Sequence, residues 1–245
     1  MGKTEKIKPE RALKIDDLEA YPKFKAEIIK LETLCRLSKI EKPKEKAQAT
    51  KNYIIMRLVG VSEKLLKSMV SDFIDKFKIS AKSFGGGMTL DLDQLDEIQS
   101  EDITKGKIIA STLGLANAVM IGVAFGNINN FKPYTDWNDS AKQFFTWIQE
   151  LSPVKKGERD LFEEFDELLK KRNKIAHGID DYLDVIDTNK IRDWYGLLMM
   201  MWFATDIHLS RNRKDMKKKH AIECEDMFKM NIKEFNEITS KYSKV

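Results

Sequence analysis

Long apolar runs, prolines, glycines, cysteines and histidines are all scarce in this 245-residue chain, and each scarcity excludes something. The longest apolar run, "WYGLLMMMWFATDI" from Trp194 to Ile207, falls short of the roughly 20 residues a bilayer requires and carries Asp206. It reads as a buried core helix. The start, "MGKTEKIKPERALKIDD", has no apolar signal core, and Cys35 and Cys224 are too few and too far apart for a disulfide framework. The expectation is therefore a cytoplasmic protein with free thiols and no membrane association. Three scattered histidines form no cluster with metal-ligand spacing, so neither a metal site nor a cofactor is expected. Five prolines and 12 glycines leave few breaks in a chain rich in Leu, Ile, Lys, Glu and Met. Apolar residues recur three and four apart, which predicts an all-α fold.

What is present is charge, unevenly placed. Net charge is only +4, yet Arg211 to His220 carries six Lys and Arg against one Asp, and Thr89 to Thr104 carries six acids and no base. The basic cluster is either a solvated helix face or a phosphate-binding one.

Periodicity predicts helices over Phe24 to Lys39 and Lys46 to Lys78, the second with Ile54, Leu58, Val61, Leu65, Met69, Phe73 and Phe77 on one stripe. Gly85, Gly86 and Gly87 lack the following Gly-Lys-Ser/Thr of a phosphate loop. A helix is expected from Asp102 to about Val119. Gly122, Gly126, Asn127, Asn129, Asn130 and Pro133 read as a loop after it. Trp137 to Leu151 reads as an aromatic-rich core helix, Glu158 to Ala176 as a charged amphipathic one. Asp187 or Thr188 caps a helix to about Leu209, and a charged helix follows from Arg213 to about Tyr242. The division expected is a charged extension with one helix (1–45), a helical domain (46–209) and a basic C-terminal helix (210–245).

The stretch "KKRNKIAHG" ends the Glu158–Ala176 segment and concentrates the chemistry. Leu161, Phe165, Leu168 and Ala176 are read as its apolar face, and Arg172 falls within about 20° of Phe165 on a helical wheel. A permanently charged guanidinium on that stripe must find an acid, line a polar cleft or snorkel outward. Asn173 and His177 stand four apart, with Arg172 beside them, so three polar groups are expected on one rim. Gly178 is suited to end the helix in a left-handed conformation. An imidazole that moves protons and a guanidinium that neutralises phosphoryl oxygens suit phosphodiester cleavage without a metal. The spacing alone is weak, since Arg213 and His220 satisfy it too. On the residues alone, a site and a capped helix end with a structural Arg both remain open.

"KRNKIAHG" resembles the signature of the HEPN superfamily (higher eukaryotes and prokaryotes nucleotide-binding), an Arg followed by a polar residue and, four to six residues on, a His. "NYIIMRLVGVSEKLLKSMVSDF" is similar to an early helix of its RiboL-PSP-type members, with Glu63 at that helix's acidic position. The resemblance implies an all-α HEPN-like helical bundle, here with N- and C-terminal helical extensions. It implies a metal-independent endoribonuclease of toxin or antiviral defence type, working as a homodimer whose two motifs share a cleft. An antitoxin or defence-system protein is the further partner it suggests. His177 would be general acid or base, Arg172 the phosphate-binding cation, Asn173 an orienting amide and Glu63 an accessory, with Lys174, Arg211, Arg213, Lys217, Lys218 and Lys219 contacting RNA. The superfamily also contains non-catalytic binding and dimerisation modules, and a plain RNA-binding protein is the other alternative. One toxin group has a Tyr two residues after the His, modified by an antitoxin; that position is Ile179 here.

Overall fold

The computed structural model describes residues 18–80, 84, 103–115, 117–129, 137–151, 160–178, 186–212, 226, 230 and 233; for 137–140, 151, 211 and 212 it describes the backbone alone. The described chain is all-α: α1 (Tyr21–Ser38), α2 (Lys44–Phe77), α3 (Lys105–Thr112), α4 (Ala118–Ile128), α5 (Trp137–Leu151), α6 (Leu161–Ala176) and α7 (Thr188–Asn212).

Pro22 sits in the first turn of α1, where its missing N–H leaves no bond unmade. Tyr21, Phe24, Ile28, Leu31 and Cys35 then form one buried stripe at three- and four-residue steps. The 34 residues of α2 span about 51 Å and form the central strut. The helix stops where Lys78 enters the left-handed region, at φ 53°.

Two directions follow from cross-links. Glu27 pairs with Arg57 and Glu41 accepts from Thr50, so α1 runs antiparallel to α2. Trp194 Nε1 donates to Ser62 Oγ, Phe73 stacks on Trp202 with centroids 4.4 Å apart, and Lys76 pairs with Asp206; α7 therefore runs parallel to α2. The helix α1 also packs on α7 and shares the same core. Residues 194 to 206 are buried almost continuously, as the apolar run predicts. Because Tyr195 to Phe203 is absorbed inside one chain, that run leaves no apolar surplus that would require a second copy.

The expected Asp102–Val119 helix and the loop after it are corrected. The chain breaks after Thr112, and a new helix, α4, starts at Ala118 under the Asn117 cap, whose Oδ1 accepts from the Val119 and Met120 N–H groups. Gly122, Gly126 and Asn127, read as loop formers, lie inside this helix and Asn129 caps its end, while Asn130 and Pro133 lie outside the described residues. A Cβ at Gly122 would lie 2.6 Å from Ala141 Cα, so glycine lets α4 lie directly on α5. Phe125 stacks on Phe144, and Phe145 meets Phe165, so the aromatics of α5 serve the core.

A charged pair is also buried in this core. Lys76 Nζ stands 2.6 Å from Asp206 Oδ1, with the two side chains 6% and 1% exposed. No helix is long and apolar enough to cross a membrane among the described residues.

Candidate functional site

The site is built on α6. Asp160 caps it, its Oδ1 accepting from the N–H groups of Phe162 (2.9 Å) and Glu163 (3.2 Å). Phe165 anchors the helix to the core by stacking on Trp194 at 4.0 Å, and Leu169 is buried one turn later. The apolar face differs from the sequence expectation at two places: Leu169 is on it and Ala176 is exposed. The face tilts because the helix seats on Phe145 and Trp194, on one flank of the wheel.

The basic run on this helix is mostly neutralised. Lys170 pairs with Asp166 and Lys171 with Glu167, each one turn back. The Lys171 ammonium holds the Glu167 carboxyl below its usual range, and the Asp166 carboxylate raises the Lys170 ammonium. Lys174 is exposed in the last turn.

Arg172 is different. It is half-buried, continuing the core-facing stripe as its position on the wheel requires, and its Nε is buried with no hydrogen-bond partner. No carboxylate among the described residues pairs with it. An unsatisfied buried donor of this kind costs about 1–3 kcal/mol.

Asn173 and His177 are exposed. The His177 N–H donates to the Asn173 carbonyl at 3.1 Å, and Gly178, at φ +64°, donates to the Ile175 carbonyl. The helix thus ends at His177-Gly178 as the sequence predicts. Five residues separate Arg172 from His177, about 140° of helical rotation, while Asn173 and His177 are about 40° apart. The structure therefore brings the amide and the imidazole together on the solvent side and sets the guanidinium on the inner flank. The single rim of three groups resolves into two adjacent surfaces of one helix end.

Glu63 lies on α2 and pairs with Lys67, one turn on, at 3.3 Å; it bonds to none of the motif residues. Arg211 belongs to the last turn of α7 by its backbone. Arg213, Lys217, Lys218 and Lys219 lie outside the described residues, as does Ile179. No group of three or more His, Cys, Asp or Glu is placed to hold a metal ion among the described residues.

Sequence reasoning missed a cleft of about 580 Å³ between α5 and α6, lined by Lys142, Thr146, Asp160, Glu163, Asp166 and Lys170 among others. Its carboxylates outnumber its ammonium groups, so it is not a second phosphate cradle. The signal for it was the acid spacing Asp160, Glu163, Asp166 on one side of α6. The buried Lys76–Asp206 pair was also missed, although an Asp inside an apolar run is such a pair's usual trace.

No family model matches this chain, and neither any curated protein nor any solved structure matches it.

Proposed function

We propose that the protein is a metal-independent endoribonuclease of HEPN type, cleaving RNA by attack of the 2′-hydroxyl on the adjacent phosphodiester. The observation that carries this reading is the half-buried Arg172, whose Nε has no partner, one residue before Asn173 and five before His177 on the same helix end. A permanent cation that no described carboxylate pairs with, on the same helix end as an exposed imidazole, is equipped for an anion and a proton.

In this reaction the O2′–phosphorus bond forms and the phosphorus–O5′ bond breaks. One proton leaves the 2′-hydroxyl and one reaches the departing 5′-oxygen. His177 serves one of these transfers, and Arg172 bears the charge that builds on the phosphoryl oxygens. Asn173 orients the chain from the same face as His177. The angle between Arg172 and His177 favours a site completed by a second copy, with the partner's imidazole facing the phosphate held by Arg172. The toxin or defence role, and an antitoxin partner, rest on the resemblance of "KRNKIAHG" alone.

A second reading, a non-catalytic binding or dimerisation module of the same fold, is favoured by one observation. The His177 side chain bonds to no described residue, so nothing among them fixes its ring or tautomer. Incubating labelled single-stranded RNA with wild type and with His177→Ala separates the two. Cleavage lost in the variant supports the enzyme, and binding without cleavage by both supports the module.

A further inference from the structure

Two side-chain stripes leave the Phe165–Trp194 stack. On α6, Arg172 follows Phe165 by seven residues and lies within about 20° of it around the helix; on α7, Lys190 precedes Trp194 by four residues and lies within about 40° of it. Glu167 sets the relative direction of these helices. The hydrogen bond from Lys171 lowers its carboxyl first, and the charge of Lys190 lowers it further, so moving forward from the stack along α6 meets residues further back along α7. The two helices therefore run in opposite directions, in keeping with the short return over residues 177–187. Both stripes lead to the same end of the α6–α7 seam. Arg172 lies about 10 Å from the stack along α6 and Lys190 about 6 Å from it along α7, so the guanidinium and the ammonium stand on the two walls of that end.

The fold makes no use of the charge on Lys190. It is the third residue of α7, and its N–H is taken by Asp187 Oδ1 at 2.8 Å. A cation in the first turn of a helix faces the positive end of the macrodipole, which disfavours it. Glu167, the carboxylate across the seam, is bonded to Lys171 at 2.7 Å, and Lys190 forms no ion pair among the described residues. The residue is exposed. An ammonium in an unfavourable place, with its nearest carboxylate already engaged, is left for an anion from outside.

If a scissile phosphate rests on Arg172, as the ribonuclease reading has it, the strand carries a further phosphate on either side of the cut. A lysine suits such a neighbour, because a compact point charge holds a phosphate without fixing its orientation, and contacts of this kind set the register of a strand. We propose that Lys190 binds the phosphate next to the one held by Arg172, which makes the α6–α7 seam the track of the RNA strand. The position of Lys190 is structural, whereas the identity of its ligand rests on the ribonuclease reading. The chemistry stays with Arg172, Asn173 and His177.

The test is fluorescence anisotropy of a labelled RNA made resistant by a 2′-deoxy at the cut position, titrated with the full-length protein, beside single-turnover cleavage of the all-ribo strand. Lys190→Gln should weaken binding roughly fivefold at about 100 mM salt and flatten its salt dependence by about 0.7 on a log-log plot, the share of one phosphate contact on a single strand. The cleavage rate at saturating protein should be unchanged, and Lys190→Arg should bind as wild type does. Lys190→Gln should melt at or above the wild-type temperature, which separates lost binding from lost folding. Lys78→Gln, exposed at the far end of α2, controls for net charge and should leave the slope as it is. A neutral methylphosphonate in place of one of the two phosphates flanking the cut should erase the difference between Lys190→Gln and wild type. Unchanged affinity and slope in Lys190→Gln, an equal loss in Lys78→Gln, or a difference that persists whichever flanking phosphate is neutralised overturns the proposal. Wild type that binds RNA without cleaving it overturns the ribonuclease reading alone, and a flattened slope in Lys190→Gln then still supports the phosphate contact; wild type that binds no RNA overturns both.

Discussion

Replacing Arg172 by Met separates a guanidinium kept for a ligand from one kept for the fold. Methionine preserves most of the apolar stem along the Phe165–Leu169 flank and removes the charge and the buried Nε, which has no partner. An unsatisfied buried donor costs about 1–3 kcal/mol, and the lower end applies because the residue is only half-buried. Arg172→Met should therefore stabilise the protein by about 1 kcal/mol, raising Tm by roughly 2–4 °C for a chain of this size. Thermal melts followed by circular dichroism, with urea midpoints as a second measure, give the number. RNA cleavage should vanish in the same variant, and Arg172→Lys should fail as well, because an ammonium does not reproduce the planar fork of donors. A melt lowered by Arg172→Met would refute the reasoning, since it would mean that the folded protein itself supplies the guanidinium's partner.

His177→Ala should change stability by no more than about 1 kcal/mol, because His177 is exposed at a helix end, while lowering cleavage by about 10²- to 10⁴-fold in single-turnover assays. Lys76→Ala should destabilise by about 3–5 kcal/mol in urea, leaving Asp206 buried without its lysine, whereas Lys76→Met with Asp206→Leu should recover most of that loss. The hydrogen bond from Arg57 holds the Glu27 carboxyl below its usual range, so its contribution is present above the ordinary carboxylate pKa and is lost as pH falls through the folded value. Glu27→Gln should therefore remove a few tenths of a kcal/mol at neutral pH and progressively less as the pH falls through the folded value, read from urea midpoints. Burial pushes the Cys35 thiol up to about 11, so in a Cys224→Ser background Ellman's reagent should label it only as fast as the protein opens.

Helices with a single apolar stripe were legible from sequence almost to the residue. α2 differs from its expected span by two residues at the start and one at the end, because Ile54 to Phe77 keeps one period throughout. The Asp187 cap was readable for the same local reason, and its Oδ1 accepts from the Lys190 N–H at 2.8 Å. α4 was not legible. Its glycines and asparagines carry the composition of a loop, and only the approach of Ala141 explains why small residues are needed inside a helix. In the candidate site, the helix end at Gly178 and the inward lean of Arg172 follow from spacing. The separation of Arg172 from His177 does too, but the reading of one shared rim passed over five residues of rotation. Glu63 was placed by resemblance to a helix, and the partner it shows, Lys67, is a local one, one turn on in the same helix. Nothing in the sequence pattern could reveal the Nε left unbonded, because that depends on which side chains surround α6.

The most direct measurement uses an RNA with a single 2′-deoxy substitution at the cut position, incubated with the protein in excess EDTA beside its all-ribo counterpart. The account predicts cleavage of the ribo strand to a 2′,3′-cyclic phosphate end, resistance of the deoxy strand, and no cleavage of either by His177→Ala. Cleavage of the deoxy strand at the ribo rate, or an unchanged rate in His177→Ala, would contradict it.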